Sequence, residues 1–499
     1  MKKALIFTVM LVSIMTLSYA QTVSWTVNNA ATWIEAVGGI RSGGNGKTYI
    51  ITITGTISLP VTPTSENTFG SVENITVTLQ GTGTISPSSN NGNLLRIGNG
   101  QTVIIKDITL RGLNNNEGSL IIVLSSGELI MEGNAVVTGN EKRGSESAGG
   151  GVRIDDGTFT MKGNAAITGN SAANGGGVRI EHGTFTMMDN ASVSGNLRGS
   201  GVSVGGTFIM QDNATVKGNI DSTGNGGGVY VGYAGGFSLA KGDFTMRDRA
   251  SVSGNSASSG GGVYIAAGTF TMLDSATVSD NSATSSSSYA GGGGVYAGDN
   301  GIFTMRDNAT LRGNTAISSG GGVCTGGVGF SSGDFFMEGG TISGNTAVRG
   351  GGVYVGGRYG TFTMRGGIIS GNIAKASGNN EANGGGVYIG SIFTMENGTV
   401  SGNSAGSDGG GVYIGGSFTM QNGTVSSNTA GRNGGGVYMD GNFTKSGGTI
   451  YGGDEANNLG NTATSRRGHA VYRKSGPQWR NITAGPVMTA DTYGFWLND

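Results

Sequence analysis

Apolar and polar residues alternate in short segments along most of the chain, and Gly, Asn or Ser separates one segment from the next. Within residues 409–430, for example, the segments are 412–414 (VYI), 418–420 (FTM) and 424–426 (TVS). A period of two is that of a β-strand with one buried face, and none of the segments is long enough for a helix. The pattern predicts three short strands per unit, joined by turns.

The unit is repeated, because the phrase Gly-Gly-Gly-Val-Tyr-Ile and its variants recur at intervals of 24 to 34 residues. The longer intervals contain insertions at 232–243, 282–290 and 373–383. Three strands in roughly 25 residues are typical of one coil of a parallel β-helix, in which equivalent strands pair at ~4.8 Å. A propeller blade needs a longer period, and a leucine-rich repeat needs Leu at fixed positions. The valines of the phrase are Val152, Val178, Val202, Val229, Val263, Val295, Val323, Val353, Val387, Val412, Val437 and Val471.

Equivalent inward residues are expected to stack into columns, so that the coils share one core that no single coil could form. The first strand contributes Val and Ile, the second Phe and Met, and the third Val or Ile. Asn recurs at the end of the third strand, where stacked amides can hydrogen-bond to one another. The Gly triplet is expected to form turns in which a Cβ has no room. The asparagines are Asn140, Asn170, Asn196, Asn219, Asn255, Asn281, Asn314, Asn345, Asn372, Asn403 and Asn428.

These patterns predict an all-β fold, a single right-handed parallel β-helix (solenoid) of about 12 regular three-strand coils. Residues 1–20 have two Lys, an apolar run and a small-residue ending, which indicate a secretory signal peptide cleaved after Ala20. Residues 21–126 are expected to hold an N-terminal cap, with a short helix at 29–37, and irregular coils. Residues 127–465 form the regular repeats, and residues 466–499 a C-terminal cap.

Composition narrows the possible functions. The chain has 101 Gly, 12% charged residues and a net charge of −1, so no basic face for nucleic acid is expected. No apolar run after the signal peptide approaches the ~20 residues of a membrane-spanning helix. Cys324 is the one cysteine, which rules out a disulfide framework within the chain. We expect no cofactor and no metal.

The repeat resembles those of the polymorphic outer-membrane proteins, which combine a Gly-Gly-Ala-Ile type motif with a Phe-x-x-Asn motif. Residues 260–263 (GGGV) and 252–255 (VSGN) stand in those places, with Val replacing Phe. The repeat is also similar to right-handed β-helix repeats of bacterial surface proteins. The resemblance covers roughly residues 127–475, and it implies display at or beyond the cell surface with an adhesive role. The C-terminal membrane barrel of the polymorphic proteins has no counterpart in the approximately 30 residues after the last repeat.

The middle residue of the first strand is Tyr in eight units. If Val and Ile point inward, these rings form an outward stripe with a spacing of ~4.8 Å. Such a stripe could bind glycans or host and neighbour-cell surface proteins. Alternatively, the rings stabilise adjacent strands and cover Gly-rich backbone. Arg153, Arg179, Ser203 and Cys324 interrupt the stripe. Its members are Tyr230, Tyr264, Tyr296, Tyr354, Tyr388, Tyr413, Tyr438 and Tyr472.

Other columns suggest chemistry less strongly. Five Asp residues share one turn position, where they could bind cations or simply form the turn; we favour the turn. The pairs 155–156 (DD) and 181–182 (EH) follow the first strand in adjacent coils, where they could form a small polar cluster or lie in exposed turns; we favour exposed turns, because no third group is evident. His182 and His469 are too far apart for a His-based triad or zinc site. The aspartates are Asp189, Asp212, Asp248, Asp274 and Asp307.

The second strand carries outward Thr-x-Thr in several units, as at Thr158 and Thr160. A regular Thr array can bind ice, but interruptions at Ile209 and Phe336 favour ordinary exposed strand residues.

The sequence favours a non-enzymatic, secreted or cell-surface β-helix that is adhesin-like or surface-shielding, with no assigned catalytic residue. The alternatives are a polysaccharide-binding or polysaccharide-degrading β-helix, of the lyase or hydrolase type, and an envelope protein with no specific ligand. The exported chain is expected outside the cell or on its surface, with the periplasm as the other location.

Overall fold

A computed structural model describes residues 22–474, except 64, 145–148, 233–240, 288–289, 299, 327–332, 358, 379, 454–457 and 465–467. The described part is an all-β, right-handed parallel solenoid of about 15 turns, which confirms the predicted fold class. The signal peptide expected at 1–20 and most of the expected C-terminal cap (475–499) lie outside the described residues.

The three predicted strands of each unit form three long parallel sheets, which we name the Tyr, Phe and Val sheets after the first, second and third strand. The Tyr sheet comprises Leu95–Ile97, Ile121–Val123, Val152–Ile154, Val178–Ile180, Val202–Val204, Val229–Val231, Val263–Ile265, Val295–Ala297, Val323–Thr325, Val353–Val355, Val387–Ile389, Val412–Ile414, Val437–Met439 and Val471–Arg473. The Phe sheet comprises Val23–Val27, Thr48–Ile53, Thr76–Gly81, Thr102–Lys106, Glu128–Glu132, Thr158–Met161, Thr184–Met187, Thr207–Met210, Gly242–Met246, Gly268–Met272, Gly301–Met305, Asp334–Met337, Thr361–Met364, Ile392–Met395, Ser417–Met420 and Asn442–Lys445. The Val sheet comprises Thr56–Leu59, Thr84–Pro87, Thr109–Arg111, Val136–Thr138, Ala166–Thr168, Ser192–Ser194, Thr215–Lys217, Ser251–Ser253, Thr277–Ser279, Thr310–Arg312, Thr341–Ser343, Ile368–Ser370, Thr399–Ser401, Thr424–Ser426 and Thr449–Ile450.

The prediction of three strands per coil is wrong from residue 220 onward, because a fourth short strand follows the recurrent Asn. Most of these strands have only two residues, so a local alternation of apolar and polar positions cannot reveal them. They are strands because the coils pair with one another. Each buries an Ala except the first, in which the buried Asp221 lies opposite Ala257 of the next coil. This Ala sheet comprises Ile220–Asn225, Ser256–Ser259, Ser282–Ala283, Thr315–Ala316, Thr346–Ala347, Ile373–Ala374, Ser404–Ala405, Thr429–Ala430 and Thr462–Ala463.

The N-terminal helix, Ala30–Gly43, is longer than the predicted 29–37. Asn29 caps it, since its side chain accepts from the Thr32 amide at 3.0 Å. The helix continues past two glycines because it buries Ala36 and Ile40 against the first coils. That burial outweighs the cost of about 1 kcal/mol for each helical Gly. At Gly39 a Cβ would lie 2.6 Å from the Trp25 ring, so the absence of a side chain at Gly39 allows the indole to pack there.

The predicted core columns are confirmed. From Phe159 to Phe443, eleven Phe rings of the Phe sheet stack with centroids 4.5 to 5.1 Å apart and nearly parallel planes. Val and Ile of the other two sheets and Met of the Phe sheet surround this stack, almost all fully buried. One continuous apolar core therefore runs the length of the rod.

A column of buried Asn side chains joins successive coils by hydrogen bonds. The backbone N–H and the Nδ2 of Asn281 both donate to Oδ1 of Asn314 at 3.0 Å, and Nδ2 also donates to the Val252 carbonyl at 3.1 Å. The same arrangement repeats up and down the column, and it extends beyond the predicted residues to Asn116 and Asn461. We call this column the Asn ladder.

The Gly triplet closes each coil over the Asn ladder. Gly260 has φ +60°, a backbone conformation that L side chains seldom adopt. A Cβ on Gly261 would lie 2.4 Å from the Ser282 carbonyl oxygen, and one on Gly262 would lie 2.9 Å from Nδ2 of Asn281. The triplet is thus required by contacts with the next coil, as the repeated turn predicts.

Replacing one ladder residue should destabilise the rod strongly. Asn314→Ala removes the acceptor for two Asn281 donors and leaves them buried, which we expect to cost about 2–5 kcal/mol of unfolding free energy. Urea unfolding measures the loss. The matched control is Asn190→Ala, whose amide donates at 3.3 Å to Asn164 on the exposed surface and should cost under about 1 kcal/mol. Equal losses for the two variants would contradict the role of the ladder.

Candidate binding face and charged clusters

The structure brings the eight predicted Tyr residues together on the outer face of the Tyr sheet, in two stacks. Tyr230, Tyr264 and Tyr296 form the first, with ring centroids 5.4 and 4.9 Å apart. The second runs from Tyr354 through Tyr388, Tyr413 and Tyr438 to Tyr472, with centroids 4.7 to 5.4 Å apart. Cys324 occupies the same column between the two stacks. We call the whole column the Tyr stripe.

Much of each Tyr ring is used in packing. The ring faces cover one another, and Tyr296 and Tyr438 are only 3% and 5% exposed. A Cβ on Gly356 would lie 2.2 Å from the Tyr354 ring, so this ring lies directly over Gly backbone. The structure therefore shows the packing role that the sequence offered as an alternative. Six of the eight side chains still keep part of their surface accessible for a ligand.

Cys324 is a spacer in the Tyr stripe. It is 2% exposed, and burial raises the pKa of its thiol. The Tyr296 hydroxyl reaches into the coil of Cys324 and donates to the Gly326 carbonyl at 2.9 Å. The first stack thus ends by hydrogen-bonding to the backbone of the next coil instead of covering another ring.

The insertions that lengthen some units lie in the chain at the two long borders of the Tyr sheet. The predicted insertions at 282–290 and 373–383 begin with Ala-sheet strands, and the one at 232–243 ends inside the strand Gly242–Met246, so these predicted bounds are wrong by one or two residues. The connecting segments 284–291 and 375–383 join the Ala sheet to the Tyr sheet, whereas 232–241 and 326–333 join the Tyr sheet to the Phe sheet. Gly291 and Asn383, at the ends of the first two segments, still pair with Ser319 and Arg349 of the neighbouring coils, so the regular coil resumes after the added residues. All four segments therefore adjoin strands of the Tyr sheet along the chain.

A charged cluster occupies the Tyr column in two earlier coils. Arg153 Nε lies 2.6 Å from Asp155 Oδ1 and 3.8 Å from Glu181, and Arg179 lies 2.9 Å from Glu181. Arg179 is 2% exposed and also donates to the Ser203 hydroxyl at 2.8 Å. The paired carboxylates neutralise the two buried or half-buried guanidinium groups.

Asp155 and Glu181 thus take part in the small polar cluster that the sequence offered as the alternative, and they are only partly exposed, whereas Asp156 and His182 are exposed as expected. In an extended strand, residues two apart lie on the same face. The Arg that stands two residues before each acid was therefore the feature of the sequence that could have predicted these ion pairs. Lys142 lies near this cluster. Burial, and then the charge of Arg153, lower the pKa of its ammonium, while Asp155 and Glu181 oppose the shift.

The five aspartates form a turn column, which supports the turn-forming alternative. Each has a left-handed backbone with φ between 51° and 58°. Each carboxylate from Asp212 onward accepts the N–H of the Asp in the preceding coil, as Asp274 does from Asp248 at 3.0 Å. Within the described ranges, no three or more His, Cys, Asp or Glu residues are grouped to hold a metal.

The Thr-x-Thr positions lie on the outer face of the Phe sheet, as predicted, but their surface is uneven. Asp243 and Asp334 occupy positions of the array, and each accepts a hydrogen bond from the Thr of the next coil. Ile302 and Ile392 interrupt it further. The sheet geometry thus favours ordinary exposed strand residues.

Comparisons with protein-family models, with curated proteins and with solved structures find no match for the chain. Among the described residues, no helix has the length and apolar character needed to cross a membrane.

Three members of the Tyr stripe should remain protonated to unusually high pH. Burial is the largest cause that raises the pKa of Tyr388, Tyr413 and Tyr438, the last to about 12. An unfolded Tyr titrates near ~10, so above this pH the unfolded chain loses protons that the folded chain retains. Stability should be full below pH ~10 and should fall as pH rises toward 12.

Tyrosinate absorbance and urea unfolding between these pH values check this prediction. Tyr438→Phe keeps a ring in the stack and removes one titrating group, so its stability should fall less steeply with pH than that of the parent. Identical pH profiles for the two proteins would contradict a shifted Tyr438.

Proposed function

We propose that this chain is a non-enzymatic, secreted β-helix that is displayed at the cell surface as an adhesin-like or shielding rod. The observation that carries the proposal is the Tyr stripe on a continuous sheet, with long insertions at both borders of that sheet. The resemblance of the repeats to those of bacterial surface β-helix proteins supports the same function.

The stripe suits an elongated ligand. From Tyr230 to Tyr472 it spans nine strands of the Tyr sheet, which at ~4.8 Å per step is about 38 Å. Because many similar groups lie along a line, a chain-like ligand could make many modest contacts with them. A glycan and an extended protein segment are ligands of this kind. We propose glycans and surface proteins of host or neighbouring cells as partners.

The core holds this face in place. The Phe stack and the Asn ladder pass through the same coils as the Tyr stripe, so the positions of its rings are fixed before any ligand binds. A pre-ordered face loses little conformational entropy on binding. This rigidity favours a role in which a rod presents a surface over its full length.

Graded substitution of the stripe tests the proposal. In the pair Tyr388→Ser and Tyr413→Ser, ring contacts are lost, and we expect adhesion of the purified protein to cells or glycan arrays to fall by about two- to tenfold. The matched pair Tyr388→Phe and Tyr413→Phe keeps the stack and separates folding from hydroxyl contacts. Unchanged adhesion in the Ser pair would refute binding by the stripe.

Location is checked by protease shaving of intact cells, followed by blotting. Loss of the protein while cells remain sealed is the expected result. Protection that ends only on permeabilisation would place the protein inside the envelope and remove the adhesin proposal.

Polysaccharide cleavage is a second candidate, which the charged cluster favours. A lysine of lowered pKa near Arg153, Asp155 and Glu181 offers a base and a cation in one place. The pKa direction implies that the neutral, basic form of Lys142 becomes available at lower pH than for an ordinary lysine, so a lyase rate should rise with pH up to that value.

Lys142→Met should then lower turnover of an acidic polysaccharide by about 10²-fold or more, the usual worth of a general base. The control Lys162→Met removes a cation that pairs with Glu132 at 3.0 Å outside the cluster, and turnover should not change. Absence of cleavage by the parent protein would dismiss this candidate.

A further inference from the structure

A pocket of about 130 Å³ lies at the Ala-sheet border of the Tyr sheet, between two insertions. Ser286 comes from the insertion at 284–291, and Ser377 and Asn380 come from the insertion at 375–383. The two coils between them have no insertion there, so Ser319 and Arg349 lie on the floor. The two insertions therefore form opposite walls of one pocket.

The floor is held by backbone pairing. Gly291, Ser319, Arg349 and Asn383 form successive parallel bridges from coil to coil. The Ser319 side chain is 1% exposed, and its hydroxyl lies 3.5 Å from that of Ser318. The pocket is consequently built on the regular solenoid and does not depend on the insertions alone.

Arg349 differs from the other arginines near the Tyr sheet. Arg153 and Arg179 pair with carboxylates, and Arg432 lies 2.7 Å from Glu381 and 2.6 Å from Asp408. Within the described part of the chain, Arg349 has no hydrogen-bonded or ion-paired side-chain partner. Its guanidinium keeps its five donors, and none of the described residues that line the pocket is a carboxylate.

The remaining lining matches a hydroxylated ring. Ser and Asn side chains donate to and accept from hydroxyl groups, whereas Ile317, 49% exposed, and Val348 offer an apolar patch to C–H groups. A guanidinium binds a carboxylate or sulfate through two parallel hydrogen bonds. The volume is of the order of one sugar residue, and the net charge of the lining is positive.

We infer that this pocket is a subsite for one acidic sugar residue, with Arg349 binding its carboxylate or sulfate. The subsite rests on the proposed function, because it specifies the ligand class of the Tyr-sheet face. Its floor belongs to the coils of Cys324 and Tyr354, where the Tyr stripe is interrupted. A glycan that follows the stripe would reach the pocket at this break.

Calorimetric titration of the full mature chain tests the subsite. The probes are a hyaluronan hexasaccharide for carboxylate alone, a chondroitin sulfate hexasaccharide for carboxylate together with sulfate, and a chitin hexasaccharide as the neutral sugar. Arg349→Gln should weaken binding of an acidic probe by about tenfold or more, since a hydrogen bond to a charged group is lost. The control Arg312→Gln, which removes an exposed cation from the Val sheet, should stay within about twofold.

Arg349→Lys keeps the charge but loses the two-pronged geometry, so it should restore only part of the affinity. A thermal melt of each variant shows whether it is folded, and Ser377→Ala, at the wall, provides a second route if Arg349→Gln does not fold. Equal affinity of Arg349→Gln and the parent, or binding of a Glu-rich peptide with no binding of any acidic sugar, would overturn the inference.

The outcomes separate the two proposals. Arg349-dependent binding of an acidic sugar by a protein that protease shaving places inside the envelope would keep the subsite and remove surface adhesion. Surface exposure and Tyr-dependent adhesion without an effect of Arg349 would keep adhesion and remove the subsite.

Discussion

The amide-to-amide hydrogen bond of the Asn ladder is the constraint on which the rest of the rod depends. An Asn side chain has both donors and an acceptor, so a column of identical residues can satisfy itself by simple translation from coil to coil. Each buried Oδ1 accepts both a side-chain and a backbone donor of the preceding Asn over most of the column. Leaving such groups unpaired inside the core would be costly. The ladder is satisfied only when the coils are in register at the ~4.8 Å spacing that backbone pairing sets. The Phe and Tyr stacks form at that spacing.

A fold built by translation repeats its outer surface as well as its core. On the surface, the Asp column is joined from coil to coil by hydrogen bonds. Glu338 likewise forms ion pairs with Arg306 of one neighbouring coil and Arg365 of the other. Function is therefore best sought in the departures from the repeat. The Arg-for-Tyr replacements and the break at Cys324 lie on the Tyr sheet, and the insertions adjoin its strands along the chain.

Charge pairing separates structural cations from candidate binding groups on this face. Arg179 is almost fully buried, and its charge is balanced by Glu181, as a buried guanidinium requires. Arg349 is partly exposed, lies among hydroxyl groups and keeps its donors for an incoming anion. The Tyr rings are partly structural and partly available for binding, because their faces pack against one another while part of most side chains stays accessible.

The sequence by itself determined the period, the three main strands, the inward columns and the stacking of Asn and Tyr, because each residue meets its own equivalent one coil away. Contacts between unlike positions were decided only by the tertiary structure. The strands of the Ala sheet were not predicted because a strand of two residues shows no alternation of apolar and polar positions. The helix extends beyond its first two glycines because Ile40 is buried against the first coils. The pairing of Arg153 with Glu181 and the pocket around Arg349 arise where turns and insertions from different coils meet. These contacts occur only once in the chain, so the repeat pattern could not predict them.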